Sequence, residues 1–238
     1  MGAVLRGENP VWPDEANPEL IDVFLQRSEY HGVQALLYER LHGLPGWPQT
    51  LLAALHRQAI AGTMWELRHQ QVIAEILVAL AGIGIHPVLF KGTALAYSLY
   101  DSPALRTRGD TDLIIPLHER ERVLDVLASL GFARVLELGE LMSYQACLTR
   151  EAPGGGEHTL DLHWKINNSE LLSRLFHYDE LRQGSRAIAG TVTRGACSGA
   201  GTCAADCMHA SFGAQAGPLL CRGRCVLQWR PPDLVGRH

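Results

Sequence analysis

The chain has 238 residues, with 21 Lys and Arg against 25 Asp and Glu and a formal net charge of -4. This length suits one medium domain, or a small helical domain joined to an α/β one, and the acidic balance disfavours a protein that grips nucleic acid mainly by neutralising phosphates. The N-terminus lacks a basic segment followed by an apolar run, and charged residues, glycines and a proline interrupt the most apolar stretch, 72–90. We therefore expect no secretory signal, no membrane span and a cytoplasmic location.

The first third of the chain is predicted to be helical. Asn17-Pro18-Glu19 supplies a capping side chain, a first-turn proline and a first-turn acid, which together favour a helix start. A second helix is predicted over 33–41, and a third from Pro48 to about Leu80, with Gly62 as a candidate break. These elements form a predicted N-terminal helical region, 1–81.

A strand, a turn and a helix are predicted next. Paired glycines and a proline end the helical pattern, and Val88 to Phe90 is a short apolar run typical of a buried strand. Lys91-Gly92-Thr93 follows as a tight turn before a helical stretch over 94–100. Phosphates often bind at such turns, because unpaired N–H groups and the positive helix end point outward.

Acidic residues on two later strands predict a metal site. Asp110 and Asp112 open a predicted strand over 110–115, and alternation puts both carboxylates on one face. Asp161 lies in an apolar context on another predicted strand. Two carboxylates at i and i+2, with a third on a neighbouring strand, can hold divalent cations that bridge nucleotide phosphates. A D-x-D alone is a weak signal, and the order of strand, turn, helix, D-x-D strand and isolated acid strengthens it.

The remaining pattern completes an α+β chain with an α/β core over 82–190. The predicted elements are a helix over 118–130, strands over 132–138, 142–149 and 158–164, and a helix over 168–181. For His163 and Trp164 a structural role is favoured over a catalytic one, with His163 assigned to the strand face opposite Asp161 and Trp164 to packing.

Two segments carry a resemblance to a known family: VLFKGTALAYSLYDSPALRTRGDTDLII and TLDLHWKIN. Over roughly residues 17–181 the sequence resembles the uncharacterised nucleotidyltransferase family of the DNA polymerase β superfamily. The resemblance implies a mixed sheet with flanking helices, a phosphate-contacting turn at Gly92 and Thr93, and a metal site at Asp110, Asp112 and Asp161 that binds Mg²⁺ or Mn²⁺. Thr93 stands where Ser or Gly is commoner, and the loop from Gly92 to Asp110 is longer than in many superfamily members.

The resemblance also implies a reaction. A hydroxyl of a small molecule, glycan or protein would attack the α-phosphate of a nucleoside triphosphate such as ATP, and pyrophosphate would leave. Asp161 would orient or deprotonate the nucleophile. Lys91, Arg106 and Arg108 are candidates for phosphate contact, since the guanidinium fork suits phosphate oxygens, with ion pairing to Asp101 or Asp110 as the alternative.

The C-terminal segment, 191–238, is an irregular tail that contains five of the six cysteines. With His209, these residues suggest a zinc site: Cys197, Cys203, Cys207, Cys221 and Cys225. Their spacing lacks the two-residue gaps of strong zinc motifs, so we favour a divergent tail or a shifted reading frame. In either case the core would lack its usual C-terminal cover.

Three functional interpretations follow, in order of preference. The first is an active metal-dependent nucleotidyltransferase. The second is a catalytically inactive binding or antitoxin-like module that keeps the fold, which would tolerate loss of any one acid. The third is a zinc-dependent tail used for partner contact.

Overall fold

The computed structural model describes residues 1–13, 17–135, 144–153, 155–167, 169, 176–187 and 227–228. The chain divides into two compact units. The helical unit comprises residues 1–69 and 99–108, and the sheet unit comprises residues 70–98 and 109–238. The predicted domain limits at residues 81 and 190 stay predictions.

The helical unit is built from amphipathic helices around an aromatic core. Its elements are α1 (Gly2–Leu5), α2 (Pro18–Tyr30), α3 (Gln34–Leu41), the first part of α4 (Gln49–Gly82) and a 3-10 turn (Pro103–Leu105). The predicted cap is confirmed, because the backbone N–H of Leu20 donates to Asn17 Oδ1 at 3.1 Å. The interior glycine, Gly62, does not break α4, although glycine costs roughly 1 kcal/mol relative to alanine inside a helix.

The apolar residues of the helical unit explain its stability. Trp12 lies against Trp47 and Phe24, with ring centroids 5.4 and 5.6 Å away. Leu37, Leu51 and several other leucines are fully buried beside these rings. Aromatic edge contacts add to the burial of apolar surface.

The sheet unit continues α4 and carries every described strand. Its further elements are β1 (Val88–Phe90), α5 (Lys91–Leu99), β2 (Asp110–Ile114), a 3-10 turn (Leu117–Glu119), α6 (Arg120–Ser129), β3 (Ala133–Val135), β4 (Gln145–Glu151), β5 (Glu157–His163), α7 (Tyr178–Gln183), β6 (Arg186–Ala187) and β7 (Leu227–Gln228). The predicted strands at 88–90, 110–115 and 158–164 are thus confirmed to within two residues at each end.

The sheet is mixed, which confirms the α+β class. Its order is β3-β4-β5-β2-β1, and the two-residue strands β7 and β6 extend it beyond β1. Strands β2 and β5 are parallel, whereas β1 pairs with β2, and β4 with β5, in the antiparallel sense. The parallel pair at the centre places the first acidic strand directly beside the second.

Because side chains alternate along each strand, different groups of residues pack on the two faces of the sheet. On one face, Leu89, Leu113 and Leu160 join the main core with buried residues of α4, α5 and α6. The opposite face, called here the acid face, carries Val88, Phe90 and Ile114, which pack against Leu181 of α7. Asp110 and Asp112 share this second face because they lie four and two residues before Ile114 on β2, and Asp161 shares it as the register partner of Asp112 on β5.

Several predictions concern residues outside the described part. The Cys and His residues of the tail lie there, although Leu227 and Gln228 form a strand. The predicted helix over 168–181 is partly outside, and its described end is α7, which continues to Gln183. Among the helices that the structure describes, none has the length and apolarity required to cross a bilayer.

Candidate functional site

Two acids face each other across the central parallel strands. Asp112 of β2 is the register partner of Asp161 of β5, and Asp110 is the partner of Thr159. Because Asp110 and Asp112 are two residues apart, all three carboxylates belong to the acid face. Asp112 is buried, whereas Asp110 and Asp161 are half-buried. The structure therefore brings together the acids that the sequence singled out, with Asp112 the deepest.

Asp112 contacts two side chains that can carry a positive charge. Lys91 Nζ donates to Asp112 Oδ1 at 2.7 Å, and His163 Nε2 lies 3.0 Å from the same oxygen. Burial alone raises the pKa of Asp112, but the hydrogen bonds from His163 and Lys91, and their charges, outweigh it and hold this pKa below its usual value. The carboxylate is therefore stabilised in its charged form by its partners.

The pKa of Asp161 is shifted in the opposite direction, upward. Burial raises its pKa above the usual value, and the negative charges of Asp112 and Asp110 add to the rise. A hydrogen bond from the Cys147 thiol and the charge of His163 offset only part of this. Cys147 is the register partner of Asp161 on β4, which explains the contact. An added cation would relieve this repulsion between the acids.

Lys91 occupies the junction where β1 ends and α5 begins. Its φ is 52°, in the left-handed region that costs a non-glycine residue roughly 1–2 kcal/mol. This conformation turns the chain from strand to helix at a single residue, so α5 starts at Lys91 rather than after the predicted three-residue turn. The side chain is 48% exposed, and its ammonium lies 5.0 Å from the Phe90 ring centroid. Lys91 thus reaches Asp112 from the solvent side.

The early start of α5 changes the position of Thr93. Thr93 is completely buried, and its hydroxyl donates to the backbone oxygen of Asp110 at 3.3 Å. Its side chain therefore fixes α5 to the first residue of β2. Gly92 lies in the first turn of α5, where backbone N–H groups and the helix dipole favour anions.

The two arginines lie in the helical unit. Arg108 Nη2 pairs with Glu66 Oε2 at 2.6 Å, and both side chains are 3% exposed. Arg106 donates to the Tyr100 hydroxyl at 3.5 Å. A guanidinium already neutralised by a buried carboxylate attracts phosphate less strongly, and a phosphate contact by Arg108 or Arg106 stays a prediction.

His163 belongs to the candidate site, contrary to the structural role predicted for it. The assignment of His163 to the face opposite Asp161 is wrong, because residues two apart on a strand share a face, and its imidazole contacts Asp112. The same alternation that paired Asp110 with Asp112 would have found it. Trp164 does pack against the main core, as predicted.

The side chains can hold a divalent cation. Among the described residues, Asp112, Asp161 and His163 each offer one ligand atom, and these atoms all lie within 4.8 Å of one another. Two carboxylate oxygens and an imidazole nitrogen form a donor set that suits a divalent metal. Asp110 is the next residue of β2 on the same face, two residues before Asp112.

Comparisons with known proteins place this chain in a family. No curated protein and no solved structure matches the sequence. The profile described as uncharacterised nucleotidyltransferase matches residues 17–195, which is most of the chain and includes both acidic strands. The chain therefore belongs to the uncharacterised nucleotidyltransferase family.

Proposed function

We propose that this protein is a metal-dependent nucleotidyltransferase that moves a nucleoside monophosphate from a nucleoside triphosphate to a hydroxyl. One observation carries the proposal: Asp112 and Asp161 are register partners on parallel strands, beside a lysine at the start of a helix, in a member of this family. A helix start, which favours anions, next to paired carboxylates is an arrangement suited to phosphoryl transfer.

The donor set fits Mg²⁺ or Mn²⁺, and each residue has a proposed role. Asp112 and Asp161 would hold the metal, and Asp110 would supply a further carboxylate at the outer edge. When bound, the metal offsets negative charge on the α-phosphate and on the leaving pyrophosphate. The backbone of Gly92 and Thr93 would face the phosphates, and the ammonium of Lys91 would add a positive charge.

The chemistry balances without a further co-reactant. The acceptor oxygen forms a bond to the α-phosphorus as the bond from that phosphorus to the pyrophosphate oxygen breaks. Asp161 would orient the hydroxyl and accept its proton, and its greater accessibility than that of Asp112 supports this role. Asp112 stays charged through its contacts with His163 and Lys91.

The test is metal-dependent binding of labelled ATP, GTP, CTP and UTP. We expect binding by the wild type with Mg²⁺ or Mn²⁺, and none with chelator. The double variant Asp110→Ala/Asp112→Ala should lose the metal-dependent part. The double variant Glu121→Ala/Asp125→Ala removes two exposed acids from α6 and is the matched control for lost negative charge.

The outcomes separate the competing functions. Selective binding that requires both acids would support the proposal and name the nucleotide for an acceptor search. Nucleotide binding that survives loss of the acids would favour the inactive binding module. Equal behaviour of the wild type and the double variant in every condition would refute the catalytic interpretation.

A further inference from the structure

The acid face contains an imidazole to which the proposed function gives only a contact with Asp112. His163 is 3% exposed, and its Nε2 lies 3.0 Å from Asp112 Oδ1. It is the third member of the group whose ligand atoms lie within 4.8 Å of one another, together with Asp112 and Asp161. The Phe90 ring meets it edge-on, with centroids 4.9 Å apart, so packing also restrains the imidazole.

A second observation shows that this position attracts a cation. The Lys91 ammonium lies 2.7 Å from Asp112 Oδ1 and 3.4 Å from His163 Nε2. The ammonium lies next to both candidate ligand atoms, where its positive charge takes the place that a metal ion would have. Because the Lys91 side chain is 48% exposed, it can move outward without crossing the core.

We infer that His163 is a direct nitrogen ligand of the catalytic metal, so that the site holds its ion with Asp112, Asp161 and one imidazole. The inference rests on the proposed function for the presence of a metal. Carboxylate oxygens suit both Mg²⁺ and Mn²⁺, whereas imidazole suits first-row transition metals. The nitrogen ligand therefore shifts the preference of the site away from Mg²⁺ and toward transition-metal ions, of which Mn²⁺ is the one that also fits the carboxylates.

The competing role for His163 is to orient Asp112 through a hydrogen bond. Such partners of metal ligands are common and affect affinity without touching the ion. Glutamine separates the two roles, because its side-chain N–H can still donate to a carboxylate while its amide is a poor metal ligand. His163→Gln thus keeps the orienting contact and removes the nitrogen ligand.

The experiment uses the full chain with ring-¹⁵N histidine, Mn²⁺ and each nucleoside triphosphate, followed by pulsed electron paramagnetic resonance. The label distinguishes histidine nitrogen from nucleotide nitrogen. We expect a ¹⁵N coupling to Mn²⁺ in the wild type and none in His163→Gln. His158→Gln is the matched control, because His158 is another buried histidine of β5 and lies on the other face.

Affinities give a second readout. His163→Gln should weaken Mn²⁺ binding by at least the roughly 10–100-fold that follows loss of an orienting partner. It should weaken Mg²⁺ binding less, so the ratio of the two affinities falls. Thermal unfolding of both glutamine variants checks that each is folded.

Each outcome decides the matter. A wild type that binds Mn²⁺ through Asp112 but shows no ¹⁵N coupling would overturn the inference and leave the proposed function intact. An unchanged Mn²⁺ to Mg²⁺ ratio in His163→Gln would also overturn it. Absence of any Mn²⁺ binding, with or without nucleotide, would refute the proposed function itself.

Discussion

Two buried carboxylates in this protein pair with positively charged side chains that differ in their exposure to solvent. Glu66 of the helical unit and Asp112 of the sheet unit each have a side chain that is 3% exposed. The partner of Glu66 is Arg108, which is equally buried at 3%. The partner of Asp112 is Lys91, which is 48% exposed.

The difference shows which ion pair can exchange its partner. Separating Glu66 from Arg108 would leave charges inside the helical unit, which is strongly unfavourable. Lys91 instead regains hydration as soon as it moves outward, and Asp112 can then accept a metal. The helical pair is therefore a structural one, and the pair on the acid face is suited to function.

The largest expected effect is on the helical pair. Arg108→Met leaves the Glu66 charge buried and should lower the free energy of unfolding by about 3–5 kcal/mol, measured by urea denaturation. Arg106→Met is the matched control at a half-buried arginine two residues away. The double variant Glu66→Met/Arg108→Met should recover most of the loss, since no unpaired charge remains.

This variant also tests the phosphate contact predicted for Arg108. If Arg108 binds nucleotide, Arg108→Met would keep its stability and lose affinity for nucleoside triphosphates. That result would contradict the structural assignment and restore the sequence-based one.

A smaller effect is expected at Lys91, where a substitution should raise the affinity for metal and lower the affinity for nucleotide. Lys91→Met removes the cation that competes for Asp112, so metal affinity without nucleotide should rise by about tenfold, or roughly 1.4 kcal/mol. Nucleotide affinity in the presence of metal should fall, because a phosphate-facing charge is lost. Calorimetry measures both, and Lys165→Met, at the only other lysine in the chain, is the control. A fall in both affinities would show that Lys91 does not compete with metal.

The elements of this fold were predictable where the signal is local. The cap at Asn17, the apolar run at 88–90 and the D-x-D at Asp110 and Asp112 each act through neighbours a few residues away. Such patterns follow from helix capping and from the two-residue period of strands. The α+β class and the acidic strands therefore came from the sequence.

Contacts over long sequence separations were not predictable in the same way. Lys91 and Asp112 are 21 residues apart, and Arg108 and Glu66 meet through the folding of the helical unit. The burial of Thr93 depends on the left-handed conformation of Lys91. The sequence does not indicate this conformation, because the residue is a lysine and not a glycine. His163 differs, because it lies two residues from Asp161 on β5 and strand alternation alone predicts that the two side chains share a face.

The smallest effects concern pH, and they have opposite signs at the two facing acids. The pKa of Asp112 is lowered in the fold, so its contribution to stability is present above the unfolded pKa and is lost as the pH falls through the folded pKa. The pKa of Asp161 is raised, so its charge destabilises the metal-free fold above the folded pKa. This penalty disappears below the unfolded pKa, where both states are protonated.

Two isosteric variants measure these signs in the presence of chelator. At neutral pH, Asp112→Asn should be less stable than the wild type and Asp161→Asn more stable, as shown by urea denaturation. The difference at Asp161 should shrink as the pH falls from the raised folded pKa to the unfolded pKa of an aspartate, about 4, whereas the difference at Asp112 should shrink only below about 4. Saturating Mn²⁺ should reverse the sign at Asp161 only, because the ion converts a repelled charge into a ligand. A destabilised Asp161→Asn in chelator would mean that the hydrogen bond from Cys147 and the charge of His163 outweigh the cost of burial and the repulsion between the acids.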